Sequence, residues 1–405
     1  MTQRGLLFQT TSPDIIKRTE TPTTIYCGVD PTAKSLHLGN LVTLMGLLHF
    51  HIRGHQTIAL VGGATGSIGD PSGRKSERVP LTKEVLATNV AGIESQIHRF
   101  FKNGTTYARQ RGYDGNERTP KVLNNYDWFS SMTALDFLSD IGRYARVNTM
   151  LAKESVKSRI ESTQGISFTE FSYQLLQAYD FYYLYKHHDC RVQLGGSDQW
   201  GNITAGIDLI SKKRQDEKED LQSRAFGITI PLLLTSTGEK FGKSAGKYLR
   251  MFTLLSPNEI KDIMNEHQKS PELRIAQTKL ANETTELVHG SDGLQRAQTA
   301  TRVLFGQTDS LSGDQIIQAF KGDKHRFTQL EKSRLIGAGL DQIAAMTNAV
   351  KSKSEAQKKM KAGGFYLNNT RITHHQTTLT EQDLIDGKVV ILRIGKSSFY
   401  LIEAI

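Results

Sequence analysis

Cysteine is scarce in this chain: Cys27 and Cys190 are the only two. Two cysteines this far apart in 405 residues do not make a disulfide framework, and a reducing compartment fits them best. Long apolar runs are missing too. No uninterrupted stretch approaches the ~20 residues that span a bilayer, so no membrane partner is expected. The N-terminal stretch carries Arg4, Lys17 and Arg18 but no secretory apolar core with a cleavage site. The first core strand starts near Thr23, which is early for an organelle transit peptide. Any targeting segment is therefore expected to be already removed or absent from this sequence. There is no internal repeat and no low-complexity tract.

What is present is an ordinary globular composition, 38% hydrophobic and 23% charged, with enough length for two or three domains. The formal net charge of +10 favours a polyanionic partner, although many basic proteins bind no nucleic acid.

Periodicity gives the organisation. The run from Thr23 to Asp30 is short, apolar and stopped by Pro31, which predicts a buried strand. A turn follows. Then Leu41, Leu44, Met45, Leu48 and Ile52 fall on one helical face, and Gly54 ends the helix. TIALVGG predicts a second buried strand, followed by a glycine-rich loop. Strand, helix and strand at this spacing make a βαβ unit of a parallel sheet. The pattern resumes in FTEFSYQLLQAYDFYYLYKHH, helical, with Phe168, Phe171, Leu175 and Leu176 as core candidates. CRVQLGGSDQWGNITAGIDLI predicts strand, glycine turn and helix; FGITIPLLLT predicts a strand, and STGEKFGKSAGK a loop. The charged run from Lys212 to Asp220 is most simply a solvated helix end or loop. From Tyr248 to Leu335 the pattern is mostly helical. Beyond Met346 a basic helix is stopped by Gly363 and Gly364, and short strands follow.

Two short motifs carry chemistry. His37-Leu38-Gly39-Asn40 stands directly before a helix. Free N–H groups and a positive dipole end make that a natural phosphate site. Gly39 would admit a nucleobase or ribose closely, and His37 could donate to a phosphate oxygen. Taken alone, the same letters also read as an Asn40 N-cap beside a surface histidine. Lys240-Phe241-Gly242-Lys243-Ser244 offers two lysines on a glycine-bearing, movable loop that could meet a pyrophosphate leaving group. Taken alone, it also reads as a solvated basic loop.

The order of these motifs, one on the first βα unit and one after a late strand, resembles the two signatures of class I aminoacyl-tRNA synthetases. Tyr26 to Thr32, VGGATGSIGDPSGRKSER, FTEFSYQLLQAYD and VQLGGSDQWGNITAG resemble the tyrosyl branch. The likeness runs from about residue 23 to the end. It implies an α/β fold in three parts: a Rossmann-like parallel-sheet catalytic domain over 1–247, a helical anticodon-binding domain over 248–340, apparently shortened at its start, and a small α+β S4-like RNA-binding domain over 341–405.

The resemblance also implies an activity: tyrosine activated by ATP, accompanied by Mg2+, and passed to tRNA(Tyr). Tyr26 and Asp180 are then expected on the substrate phenol. A buried pair built for that hydroxyl is left unsatisfied by phenylalanine, which explains rejection without editing; tyrosyl-tRNA synthetase is itself the standard example of this discrimination. Asp30, Asp70, Tyr173 and Gln177 are expected around the rest of the amino acid, the last three at its ammonium. Tyr173, Gln177 and Asp180 sit at i, i+4 and i+7, one helix face, which fits a shared pocket or equally a buried polar stripe. Asp198 and Gln199 are expected at the ribose and the tyrosine carboxylate, Gly196 against adenine, Gln193 in the lining, and Cys27 and Thr43 at the ribose. Gly39 and Asn40 are implied as ATP contacts. Thr32, His37, Lys240 and Lys243 are expected to stabilise charge on the β and γ phosphates, with Arg74 and Arg78 as further cationic contacts. No protein nucleophile and no dedicated metal cage are needed.

The last 60 residues carry 9 Lys+Arg against 5 Asp+Glu. Their likeness to an S4-type domain makes Lys351, Lys353, Lys358, Lys359, Lys361 and Arg393 the RNA-contact candidates, although each lysine singly also reads as solvated surface. A homodimer is implied, with the region around Phe168 as an interface element. Asn40 stands where many relatives carry histidine. Relatives from mitochondria commonly share it, which with the basic balance favours the mitochondrial matrix over a bacterial cytoplasm.

After Lys247 the family continues with a strand and most of a helix, whereas Tyr248 follows at once here. This reads as an internal deletion, expected to disturb the Lys240–Ser244 loop and the placement of the helical domain. It motivates a second reading, a catalytically impaired RNA-binding protein derived from a synthetase. A third, an unrelated nucleotidyltransferase of similar fold, is disfavoured by Tyr26 and Asp180.

Overall fold

A computed structural model describes residues 1–73, 76–113, 118–163, 165–214, 222–233, 241–308 and 310–405, the side chains of 241–244 excepted. They form two compact units, Met1–Val288 and His289–Ile405.

The first unit is built on a six-stranded sheet of β1 (Gln9–Thr10), β2 (Thr24–Val29), β3 (Gln56–Val61), β4 (Lys121–Asn124), β5 (Cys190–Gly196) and β6 (Phe226–Ile230), in the order β1-β6-β5-β2-β3-β4. All pairings are parallel except the short antiparallel edge β1. The continuous apolar strands are what a sheet covered on both faces requires. The predicted strand, helix and strand are β2, α1 (Leu38–His51) and β3. α1 is buried nearly all round, from Leu41 to Phe50 apart from Thr43, rather than on one stripe. The chain runs outward from β2 to β3 and β4, then returns to place β5 and β6 on the other side. The order therefore reverses between β2 and β5, where Tyr26 and Gln193 are register partners. Open α/β sheets hold ligands at such a switch point, beyond the C-terminal strand ends.

Three further helices complete the sheet layer: α2 (Lys83–Arg109), α3 (Phe168–His188) and α4 (Trp200–Lys213). The expected core face of α3 needs correcting. Of the four candidates Phe168 is 75% exposed while Phe171, Leu175 and Leu176 are half-buried, and the fully buried side chains include Tyr173, Ala178, Asp180, Phe181 and Leu184. The helix turns Tyr173, Gln177 and Asp180 toward a cavity and leaves Phe168, at its first position, outside. Its start is held by a buried Arg159, which grips Glu170 with Nε–Oε1 at 2.8 Å and Nη2–Oε2 at 2.9 Å. The charged run expected as a helix end closes α4 at Lys213; its part from 215 to 220 lies outside the described residues.

A second correction concerns the loop expected around Lys243. Phe241–Phe252 is one helix, α5. Ala245 and Leu249, one turn apart, bury against Leu255, Ile260 and Ala276, which draws this segment into regular structure. α6 (Pro257–Lys269) and α7 (Ile275–Leu304) follow; α7 is interrupted at Gly290, whose φ of 76° suits glycine.

The second unit contains α8 (Gly313–Phe320), β7 (Phe327–Leu330), α9 (Leu340–Met346), α10 (Lys353–Lys361), β8 (Phe365–Leu367), β9 (Thr370–Arg371), β10 (Val389–Ile394) and β11 (Ser398–Ala404). Its sheet order is β7-β11-β10-β8-β9. The basic helix predicted after Met346 is α10; its Ala356 and Met360 bury while its lysines stay exposed.

Candidate active site

A cavity of about 310 Å³ opens where β2 and β5 part. β2 contributes Tyr26 and Asp30 near its end, α1 contributes His37, Gly39, Asn40 and Thr43 at its start, and α3 contributes Tyr173, Gln177 and Asp180. The β5 end and the turn after it add Gln193, Gly196, Asp198 and Gln199, with Thr32, Asp70 and Arg78 from the loops. The one-face spacing of Tyr173, Gln177 and Asp180 thus does place three side chains on one cavity.

Asp180 is 3% exposed. Trp128 Nε1 donates to its Oδ1 at 2.9 Å and Asn125 Nδ2 donates to its Oδ2 at 3.1 Å. Burial still pushes the carboxyl up to about 8, with these hydrogen bonds and nearby Asp30 as smaller influences. Tyr26 is 1% exposed, and its hydroxyl has no protein partner among the described residues. The same is true of Gln193 Oε1. Buried polar atoms are normally paired, so two lone ones on a cavity wall mark where a ligand would complete the bonding. Burial, then the Asp180 charge, hold the Tyr26 phenol well above its ordinary value.

A hydrogen-bond chain runs from Asp180 into the cavity. Asn125 Nδ2 also donates to Thr65 Oγ1 at 3.0 Å; Thr65 donates to Asp30 Oδ1 at 2.8 Å, and the Tyr173 hydroxyl donates to Asp30 Oδ2 at 2.8 Å. Burial, then Asp70, raise the Asp30 carboxyl to about 6. Asp70 accepts from the Ser72 backbone N–H at 2.9 Å, from Gln199 Nε2 at 2.7 Å and from Asn202 Nδ2 at 3.4 Å. Gln199 Nε2 lies 3.2 Å from Asp198 Oδ2, and burial raises the Asp198 carboxyl. A cavity with four buried or half-buried carboxyls attracts a cationic group and hydroxyl donors.

The other signature is a helix start. His37 is the N-cap: its Nδ1 accepts from the Asn40 backbone N–H at 3.3 Å, and the His37 N–H donates to Asn40 Oδ1 at 3.1 Å. Asn40 is therefore the third helical residue of a capping box rather than the N-cap. A Cβ at Gly39 would fall 2.9 Å from the His37 ring, so a larger residue there would push that ring out of its capping position. Opposite in charge to the carboxyls is Arg78, whose Nε and Nη1 are buried without protein partners among the described residues.

Some expectations the structure does not bring here. Cys27 is fully buried in the core on the far side of β2 from Tyr26 and does not line the cavity, because alternate residues of a strand face opposite ways. Burial lifts its thiol to about 12. Arg74 and Lys240 lie outside the described residues, and only the helical backbone of Lys243 is described. Lys351, Lys353, Lys358, Lys359 and Lys361 are exposed, on or just before α10; Arg393 on β10 stacks over Tyr366 at 3.6 Å.

Asn125, Trp128, Thr65, Ser72 and Asn202 were not foreseen. Each acts on another protein side chain in the site, so no motif spacing points to it. The one available signal was Trp128, one of two tryptophans in the chain.

Known proteins resemble this chain along its length. The family described as tRNA synthetases class I (W and Y) matches residues 17–249 and 245–306, and the tyrosine–tRNA ligase SYY-like C-terminal domain matches 316–402. The mitochondrial tyrosine–tRNA ligase of Saccharomyces cerevisiae is 42% identical over 99% of this chain and 87% of its own length. The tyrosine–tRNA ligase of Roseiflexus castenholzii is 40% identical over 99% and 98%. Among solved structures, a C-terminally truncated mitochondrial tyrosyl-tRNA synthetase of Aspergillus nidulans superposes with a TM-score of 0.70 at 34% identity, covering 75% of this chain and 92% of that one. The first family match breaks into two pieces meeting at 245–249, and the yeast alignment runs over 446 positions against 405 residues here. Relatives thus carry residues that this chain lacks.

Proposed function

Because the chain belongs to the class I tRNA synthetases and, among them, to the tyrosine–tRNA ligases, we propose how its side chains share that work. The reaction has two steps. The tyrosine carboxylate attacks the α phosphorus of ATP, giving tyrosyl-adenylate and pyrophosphate. A terminal hydroxyl of tRNA then attacks the activated carbonyl, giving tyrosyl-tRNA and AMP.

The observation that supports the assignment is that the unpartnered Tyr26 hydroxyl and the Asp180 carboxyl line the same cavity as His37, Asn40 and Asp198. Tyr26 and Asp180 read the phenol of tyrosine. Asp70, Tyr173 and Gln177 hold its ammonium, with Asp30 orienting Tyr173. Asp198, Gln199, Gly196 and Thr43 receive the ribose, adenine and carboxylate. Thr32, His37, Asn40 and Arg78, together with Lys240 and Lys243, neutralise the phosphates as charge moves to the leaving group. Mg2+ brought in with ATP would add to this charge neutralisation without needing a dedicated protein cage. No covalent enzyme intermediate is required, since positioning and charge neutralisation suffice. Tyrosine-dependent ATP–pyrophosphate exchange tests this directly. Exchange driven by tryptophan or phenylalanine as well as by tyrosine would defeat the phenol assignment.

Three finer readings accompany it. The stretch 248–340 binds the anticodon region and 341–405 grips tRNA through the α10 lysines. Compartment follows the mitochondrial relatives, so the matrix is the proposed location; organelle fractionation checks it. The chain pairs with a second copy through an apolar depression of about 840 Å³ on the first unit, lined by Tyr126, Phe137, Leu138, Phe168 and Leu176. Phe168 and Leu138 are 75% and 56% exposed, and a patch of this kind favours a partner surface. Sedimentation should give a dimer, and Phe168→Asp should give a monomer.

A further inference from the structure

The sheet has a second depression at its other end. The cleft described above lies beyond the C-terminal ends of the strands. This one, of about 370 Å³, lies where β4 begins, between α2, the end of α1 and the segment leading into β4. α2 lines it with His98, Lys102, Thr105 and Arg109, spaced i, i+4, i+7 and i+11, which is one stripe of a helix. His51 closes α1, and Arg118 stands on the opposite wall. Lys102 and Arg109 are exposed, and no described lining residue is Asp or Glu. A concave wall of one charge sign focuses its field and concentrates counter-ions. The buried His51 imidazole registers that field, lowered first by burial and then by the Arg109 guanidinium.

We propose that this depression is a second phosphoanion site, taking pyrophosphate or the phosphate tail of a nucleotide. Guanidinium, ammonium and hydroxyl groups from Lys102, Thr105, Arg109 and Arg118 share this one lining, and such groups suit the charge and hydrogen-bonding needs of a compact phosphate group. The volume falls among small-ligand pockets, roughly 300–1,000 Å³. A nucleic-acid strand is disfavoured, because single strands need aromatic faces to stack on. The one aromatic ring of the lining besides histidine, Phe101, is 4% exposed. The proposal stands on this cavity alone and does not depend on the roles assigned in the cleft.

Equilibrium dialysis of the full-length protein against labelled pyrophosphate tests it. Wild type should bind pyrophosphate at a site that weakens steeply with added salt. The double variant Lys102→Gln, Arg109→Gln should lose at least tenfold in affinity at that site and bind tyrosine as wild type does. The tyrosine measurement shows that the variant is folded. A wild-type chain that binds no pyrophosphate would overturn the proposal, as would a double variant that binds it with the stoichiometry and affinity of wild type. Loss of structured-RNA binding in that variant with pyrophosphate binding intact would overturn it in favour of a nucleic-acid surface.

Discussion

Trp128 holds Asp180: the indole Nε1–H donates to the carboxylate Oδ1 at 2.9 Å inside a shell where Asp180 is 3% exposed. The indole does not line the cavity, so it acts on a ligand only through the carboxyl group. That separates a positioning role from a contact. Trp128→Phe removes the donor and keeps an aromatic body. A buried carboxylate that loses a partner forfeits about 1–3 kcal/mol. The KM for tyrosine in exchange should rise on the order of tenfold while the KM for ATP stays put. Equal rises in both would show a general collapse of the site instead.

Tyr26→Phe makes a contrasting case. The Tyr26 hydroxyl has no protein partner among the described residues, so deleting it removes a desolvated group without breaking a bond in the free enzyme. Thermal stability should hold or rise slightly, by up to about 1 kcal/mol. Discrimination should fall, because one of two groups that reward the substrate hydroxyl is gone. The check is the ratio of kcat/KM for tyrosine over phenylalanine, expected to drop at least about tenfold, or roughly 1.4 kcal/mol. An unchanged ratio would place the phenol elsewhere.

Much of this is legible in the sequence. The α3 face of Tyr173, Gln177 and Asp180 follows from helical spacing, and the β2–α1–β3 unit from apolar runs and glycine stops. What escaped has a common physical cause. Asn125 and Trp128 belong to no motif, and their role exists only because the turn after β4 passes beside α3. Phe168 looked like core because aromatic residues at helical spacing usually are; here the cavity lies on the other face. Cys27 went to the core because strand alternation fixes its side once Tyr26 faces the cavity.

Asp180 and Asp30 also set a pH signature. Burial lifts them to about 8 and about 6, whereas in the unfolded chain an aspartate ionises near ~3.9. Between those limits the folded state keeps protons that the unfolded state has released. The contribution of these two groups to stability is therefore fully present below about pH 4 and falls as pH rises, flattening above about 8, at up to ~1.4 kcal/mol per pH unit for each such proton. Asp180→Asn removes one of the two groups. Urea midpoints at pH 5 and pH 8 should differ less for this variant than for wild type. Identical differences would mean that Asp180 ionises normally in the folded protein.

The junction at Lys247 and Tyr248 leads to the last expectation. The family match divides at 245–249, and α5 runs unbroken through that point. Phe241 to Ser244 are thus the first turn of a helix whose Ala245 and Leu249 are fixed in an apolar cluster. Lysines that neutralise a leaving pyrophosphate are most useful when they close on it as charge develops, which needs a segment free to move. Anchoring one turn away limits that movement. Inserting a flexible segment between Lys247 and Tyr248, where the family match divides, should release it. The kcat of tyrosine-dependent exchange should then rise at least about tenfold, roughly 1.4 kcal/mol of barrier. The KM for tyrosine should not move, because Tyr26, Asp70 and Asp180 are positioned by β2, α3 and the loops around them. A kcat unchanged by the insertion would mean that the helical start already presents its lysines to the phosphates.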